Sequence, residues 1–371
     1  MIRRRLRRAG GRVANALHLE RVPGWERFAR RVLPLLAEPA PPRSYDDKLA
    51  AEIQTFENVV NVANLPRIHG YWAERYVRPL LEQFGFANET EFLFKYTDEV
   101  LRAAAGRPTR IINLGSGNCE VEVTLALALV RKGRRDFTIE CVDLNPAMLA
   151  RGKKLAQDAG VRDLLRFTAT DINKIELAGA YDVVIASHAL HHFVALEHIF
   201  DEIKAHLRPD GYFLTHDMIG RNGHMRWPEA LEVVHSFWQE LPQKCRYNAL
   251  LRRHERLYIN FDCSTEGFEG IRAQDILPLL IERFQFALFV PFGNVIDIFV
   301  DRCFGHNFDT ADAWATGFID RVQAKDEALI EAGTVKPTHM YAAMRVGEVA
   351  QPRFHKHLTP EFCVRTVERA A

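Results

Sequence analysis

Three points along this chain carry residue types that could hold a nucleoside-like ligand. The run Ile111-Ile112-Asn113-Leu114-Gly115-Ser116-Gly117-Asn118-Cys119-Glu120 takes an apolar segment into a helical one. Glycines there let the backbone turn sharply and approach a ligand, and the helix start beyond them offers free N–H groups. Asp143 and then Leu144 end the next apolar run, where a doubly wound sheet presents an acid to ribose hydroxyls. Asp171 and Ile172 follow a third run in Thr168-Ala169-Thr170-Asp171-Ile172. An acid with an apolar neighbour can frame an adenine edge. Each point also has a simpler reading. The glycines can serve packing alone, Asp143 can cap a helix near Asn145 and Pro146, and Asp171 can make a turn. Three ligand-type positions in order at successive run ends favour the ligand.

Histidines gather further on, in Ser187-His188-Ala189-Leu190-His191-His192-Phe193 and in His216-Asp217. Imidazole titrates where an acceptor hydroxyl or amine must lose a proton, so His188 and His216 are the candidate bases. Packing and hydrogen bonding are the competing roles for these rings. His188, His192, His216 and Asp217 could also converge on an ion. They lack compact spacing such as H-E-x-x-H, and Cys119, Cys141, Cys245, Cys263, Cys303 and Cys363 make no C-x-x-C pair, so no metal is expected. Arg221, His224, Trp227 and Arg272 lie in later polar loops. The arginines would suit a carboxylate or phosphate and Trp227 a ring face; a solvated or core role is the alternative.

The elements that must place these residues alternate. Strands are expected at 110–114, 137–142, 165–168, 181–186 and 212–215, with helices at 120–131, 147–159 and 196–207 between them. That alternation implies a parallel sheet covered on both faces. Helices are also expected at 46–62, 71–84, 97–105 and 274–283, a mostly helical stretch at 220–262, a mixed and largely helical one at 301–336, and strands at 286–291 and 339–346. The expected organisation is a basic arm and linker at 1–44, a helical lid region at 45–108, a ligand-binding core at 109–219, acceptor-side insertions and last strands at 220–350, and a tail at 351–371.

The 371 residues are 47% hydrophobic and 26% charged with a net charge of +1. This is ordinary globular composition, and it gives no reason to expect a nucleic-acid partner. No apolar run reaches membrane-spanning length. The arginine-rich start (Arg3, Arg4, Arg5, Arg7, Arg8, Arg12) lacks an apolar signal core. A solvated arm is the plain expectation for it, and weak contact with a membrane surface the sharper one. Unpaired thiols fit a cytoplasmic location.

From Arg110 to Met218 the sequence resembles the class I S-adenosylmethionine-dependent methyltransferase family. The resemblance rests on Asn-Leu-Gly-Ser-Gly, Glu-Cys-Val-Asp-Leu-Asn-Pro-Ala-Met-Leu, Thr-Asp-Ile, Tyr-Asp-Val-Val-Ile-Ala-Ser-His-Ala-Leu-His-His-Phe and Leu-Arg-Pro-Asp-Gly-Tyr-Phe. It implies an α/β fold: a seven-stranded, mostly parallel Rossmann-like sheet of order 3-2-1-4-5-7-6, with a helical N-terminal extension and a late helical insertion. It implies S-adenosyl-L-methionine as cofactor, with S-adenosyl-L-homocysteine as product. Asn113, Gly115, Ser116 and Gly117 would pass by its amino-acid part. Asp143 and Leu144 would meet the ribose, Asp171 and Ile172 the adenine, and Ser187 the methionine end. The methyl would go by direct in-line displacement to oxygen or nitrogen of a small-molecule, sugar or lipid-precursor acceptor. Two residues depart from the pattern: Asn113 stands for the usual acid, and Cys119 for the third glycine. They leave a catalytically silent sensor or scaffold as the alternative. A nicotinamide dehydrogenase would need a glycine where Glu120 stands, and an acid there would face a pyrophosphate at a helix N-terminus.

Overall fold

Short runs rich in Ile, Val and Leu pair side by side into one sheet. β1 (Thr109–Leu114), β2 (Phe137–Asp143), β3 (Leu165–Ala169), β4 (Tyr181–Ile185) and β5 (Leu207–Met218) are parallel to one another. β6 (Tyr247–Asn248) and β7 (Arg253–His254) make a separate antiparallel pair. β8 (Gln285–Phe292) runs antiparallel to β9 (His339–Arg345), which is also antiparallel to β5. β10 (Arg353–Phe354) adds to β8. The order is β10-β8-β9-β5-β4-β1-β2-β3, the expected 3-2-1-4-5-7-6 arrangement with an eighth, short strand at one edge. The computed structural model describes residues 44–56, 65–265 and 267–365, and Tyr45–Ala371 forms one compact unit.

Side chains along the strands alternate between the two faces, as the two-residue period of a strand requires. Ile112, Val184, Phe213, Ala342 and Met344 enter one apolar cluster, while Ile111, Val183, Ile185, Leu214 and Tyr341 enter the other. The connections supply the covering helices. α1 (Tyr45–Phe56) comes first. α2 runs as Arg67–Trp72, one π turn Ala73–Val77, and Arg78–Glu82. Pro79 has no N–H for the ordinary backbone bond, and the widened turn immediately before it relieves the clash. α3 (Glu89–Ala103) starts where the Asn88 side chain accepts from Glu91 N–H. α4 (Glu120–Arg131), α5 (Pro146–Asp158) and α6 (Leu196–His206) follow β1, β2 and β4. α7 (Pro228–Glu240), α8 (Ala273–Arg283) and α9 (Ala313–Glu331) belong to the later part. Trp238, Phe299 and Phe318 join Ile68 and Trp72 there in a third cluster.

The stretch 220–262 is less helical than expected. α7 is its one α-helix, and the chain then goes through a 3-10 turn, Gln243–Arg246, into β6 and β7. Pro242 disfavours helix for the residue before it and stops α7. The arginine-rich arm, the end of the helix expected to reach 62, and 366–371 in the tail lie outside the described residues. Among the described residues no helix is long and apolar enough to cross a membrane.

Candidate functional site

The strand order reverses between β1 and β4, and ligands in open α/β sheets sit at the carboxyl ends beside such a point. The glycine turn leaves β1 there. Gly115 has φ +90° and Gly117 φ +51°, both in the left-handed region. A Cβ on Gly115 would stand 2.5 Å from the Ala189 Cβ. Gly115 and Ser116 donate their N–H groups to the Val142 carbonyl, each at 2.9 Å, and Gly117 N–H donates to Asp143 Oδ2 at 2.7 Å. The turn is thus laced to the end of β2.

Both family departures find local compensation. Cys119 has φ +57°, which costs a non-glycine residue about 1–2 kcal/mol. Its side chain fits because α5 carries Gly152 opposite, where a Cβ would fall 2.5 Å from Cys119 Sγ. Asn113 is buried and its Nδ2 donates to Glu122 Oε1 at 2.6 Å. An acid therefore stands beside the turn, but it comes from α4. Burial pushes the Glu122 carboxyl up to about 7. With its folded pKa above its ordinary 4.5, Glu122 favours the fold below about pH 4.5 and loses that contribution as pH rises through about 7. Glu122→Gln keeps an acceptor for Asn113. Relative to the parent protein it is expected to gain stability between pH 4.5 and 8, on the order of 3 kcal/mol at about 1.4 kcal/mol per pKa unit. Melting curves of both proteins across that range check it; parallel curves would remove the buried charge from the account.

Both later acids are positioned and capped. Asp143 accepts Gly117 N–H through one oxygen and Asn145 N–H through the other, the latter at 2.8 Å. Burial raises its pKa, against those two bonds. Leu144 beside it is half-buried, and Ile172 is buried. Asp171 caps a 3-10 turn through Asn173 N–H, so the turn reading and the ligand position coincide. The Tyr45 hydroxyl from α1 lies 2.8 Å from both Asp171 oxygens, and burial is the main reason its pKa is pushed up to about 12. α1 also meets this edge through Asn145 Nδ2 on the Ile53 carbonyl at 3.1 Å and Glu52 on His192 at 3.0 Å. Each carboxylate oxygen of Asp143 keeps further acceptor capacity, whereas Asp171 Oδ1 already takes the Tyr45 hydroxyl, Asn173 N–H and Asn173 Nδ2, which leaves Oδ2 as its less crowded oxygen.

The expected histidine pair comes together. His188 and His216 face each other with ring centroids 4.2 Å apart, and His188 N–H donates to the His216 carbonyl at 2.8 Å. His188 has φ +50°, a strained backbone of the kind found at working sites. His216 stacks on Tyr341 at 3.9 Å and 8°. Its Nδ1 is buried and has no protein partner. Burial, then the neighbouring His188, His339 and His69, hold its pKa well below the usual imidazole value. Glu89, at the start of α3, bonds to Ser187 Oγ and brings its carboxylate within 4.8 Å of a ring nitrogen of each histidine. Phe292 stacks with His339 at 5.4 Å and lies 6.3 Å from Trp72, extending a flat aromatic wall beside the pair.

The four expected acceptor contacts separate. Arg272 places its guanidinium on Glu197 (2.6 and 2.7 Å), Asp275 (2.8 Å) and the Val194 carbonyl (2.9 Å). Trp227 has the Arg221 and Arg365 guanidiniums over its ring at 5.1 and 4.5 Å, so Arg221 and Trp227 serve each other. His224 is turned to Glu269 at 2.7 Å. Glu89, Tyr45, Glu52, His69, Glu269, Phe292 and His339 had no motif to announce them. The one signal was composition: buried histidines on apolar strands ask for a partner. A separate cleft of about 260 Å³, lined by Arg75, Gln83, Gln323 and His355 among others, holds none of the expected ligand positions.

Residues 112–215 match the family described as "Methyltransferase domain". A segment of 147 residues, 38% of this chain, is 27% identical to non-reducing polyketide synthase sorB of Penicillium rubens, and it spans 5% of that protein's length. Among solved structures, geranyl diphosphate C-methyltransferase from Streptomyces coelicolor A3(2) is 12% identical, with 83% of this chain and 100% of that one covered and a TM-score of 0.41. The StiE O-MT covers 78% and 85% at 11% identity and a TM-score of 0.40. The citrinin polyketide synthase CMeT domain covers 31% and 30% at 24% identity and a TM-score of 0.28. The matched segment holds every expected cofactor position from Asn113 to Ser187. Its turn fits an amino-acid moiety: Asn113 Oδ1 is buried there without a partner, an acceptor free for an ammonium. With these positions on consecutive strand ends of this sheet, residues 112–215 form a methyltransferase domain, and S-adenosylmethionine is the cofactor that its turn and acids suit.

Proposed function

We propose that this enzyme methylates an oxygen or nitrogen of a small-molecule acceptor, a sugar or a lipid precursor among the candidates, held against the His188–His216 face. The observation that carries this reading is the buried, unpartnered His216 Nδ1 beside His188 and Glu89. A neutral imidazole nitrogen without a protein partner can take a proton from an acceptor hydroxyl or amine. S-adenosylmethionine supplies an electrophilic methyl on its sulfonium. Asn113, the Gly115–Gly117 turn, Asp143, Leu144, Asp171, Ile172 and Ser187 would hold and orient that cofactor. His216 would accept the acceptor's proton as the new O–CH3 or N–CH3 bond forms and the sulfonium S–CH3 bond breaks, leaving S-adenosylhomocysteine. His188 and Glu89 keep the ring and the proton path in register. Phe292 and Tyr341, stacked 5.9 Å apart at 23°, offer an apolar wall that excludes water. Alignment and water exclusion are the larger part of the catalysis.

The test is transfer of radiolabelled methyl from S-adenosylmethionine into cell extract separated into small-molecule, lipid and macromolecular fractions. Label in a small-molecule or lipid fraction, in an O- or N-methyl group, is expected. Label only in protein or nucleic acid, or only on carbon, overturns the acceptor class. Cofactor binding with no transfer to any fraction would make the chain a silent module.

A further inference from the structure

A second group of titratable residues lies beside the His188–His216 face and has no part in the proposed transfer. His191 and His224 each bring one ring nitrogen, and Glu269 one carboxylate oxygen, to within 4.8 Å of one another. His224 Nε2 is 2.7 Å from Glu269 Oε1, and His191 Nε2 is 3.6 Å from the same oxygen. Two imidazoles converge on that oxygen.

The orientation of His191 is set from behind. Its Nδ1 is 2.6 Å from Asp217 Oδ1, and Asp217 is fully buried. Asp217 is itself fixed by the Ala189 and Leu190 N–H groups, each at 2.8 Å. The Nδ1 proton given to Asp217 leaves Nε2 as the lone-pair side, and that lone pair points at a carboxylate oxygen. The carboxylate–imidazole pair is the usual outer support of a metal-bound histidine. A lone pair facing an anion is repulsive by itself and favourable once a cation sits between them.

The three ligand-bearing segments are also tied to one another through the backbone. Gly223 N–H donates to the Gly270 carbonyl at 2.8 Å, and Ile271 N–H to the His191 carbonyl at 3.1 Å. A Cβ on Gly270 would lie 3.1 Å from both His224 N and Cε1, and one on Gly223 would lie 1.9 Å from Asp262 Oδ1. His224 itself has φ +55°. Both glycines and the strained histidine backbone are needed for the loops to approach this closely.

We propose that His191, His224 and Glu269 form a binding site for a divalent first-row transition-metal ion, with Asp217 as its outer partner. Two imidazoles and one carboxylate match the donor sets of zinc and non-haem iron(II) sites and leave coordination positions open. Magnesium and calcium prefer all-oxygen shells. His192 Nε2 lies 3.6 Å from the other Glu269 oxygen, with Nδ1 3.0 Å from Glu52, which holds the carboxylate in place. No compact motif announces the site, because its ligands come from the loops after β4 and β5 and the loop before α8. Metal binding stands or falls independently of the methyl acceptor.

The full chain, stripped with chelator, is titrated with Zn(II) by calorimetry and with Co(II) by visible absorption. One equivalent with a cobalt d–d band is expected. Glu269→Gln keeps the shape and an acceptor for His224, and it should lose the band. Asp217→Asn should weaken binding about 10–100-fold. His357→Ala, on the exposed surface, should change nothing. A rise in melting temperature with Zn(II) in the parent protein, absent in Glu269→Gln and His224→Ala, gives a second readout. No stoichiometric ion in the parent protein overturns the proposal, as does one equivalent retained by folded Glu269→Gln.

Discussion

Gly117→Val is expected to lower S-adenosylmethionine affinity by roughly 100-fold or more. Gly117 lies at φ +51°, where a β-branched residue is strained by about 1–3 kcal/mol. Its N–H is also the link to Asp143 Oδ2 at 2.7 Å, so relaxing the strain moves the turn off the acid. The new Cβ would press on Met148 Cε at 3.3 Å, a flexible end that can yield, so the fold should survive. Asp143→Ala removes a ligand acceptor and that same clamp. A cost of about 1–3 kcal/mol, or about 5- to 150-fold, is expected. Calorimetry on both variants is the check. Unchanged affinity in the two would remove the glycine-turn argument, and tight NADH binding would revive a dehydrogenase.

The second large effect concerns the proton. His216→Ala is expected to slow methyl transfer about 10²–10⁴-fold, with cofactor affinity unchanged, and His188→Ala to slow it as well. The shape of the pH profile follows from burial. The folded pKa of His216 is held well below 6.5 by desolvation and by the nearby histidines. The ring is therefore neutral, and able to accept, at neutral and alkaline pH. Activity through His216 should be flat there and fall only in acid, below the usual histidine range, as the ring protonates. Glu89→Gln should move that acid limb, because the Glu89 carboxylate reaches within 4.8 Å of both rings. Near-normal turnover in both histidine variants would leave alignment as the whole mechanism.

The core strands and their helices are readable from the chain because each obeys a local rule. β1 and β4 carry the apolar runs Ile111-Ile112 and Val183-Val184-Ile185 because both faces of a central parallel strand are buried, while β2 alternates apolar and polar residues. α4 spans Glu120–Arg131 as expected, since a glycine turn and an acidic first turn mark its start. Later elements were harder. Leu207–Met218 is longer than the expected 212–215, because its Arg-Pro-Asp-Gly opening reads locally as a turn. The π turn in α2 and the hairpin after α7 depend on what packs nearby.

The site divides along the same line. Asn113, Gly115, Gly117, Asp143, Asp171, Ser187, His188 and His216 are legible in the sequence because each lies at or just past the carboxyl end of a strand, and these ends of a parallel sheet must share one edge. Order along the chain therefore determined which edge of the sheet carries these residues and brought His188 beside His216. It could not assign Arg272, whose partners Glu197 and Asp275 sit on α6 and α8. Nor could it supply Glu89, Tyr45 or Glu269, which come from segments before and after the core. Their roles arise only when α1, α3 and the loop before α8 close over the strand ends. Side-chain direction and the competition among carboxylates for each cation are decided there, by distances of about 3 Å that no spacing along the chain encodes.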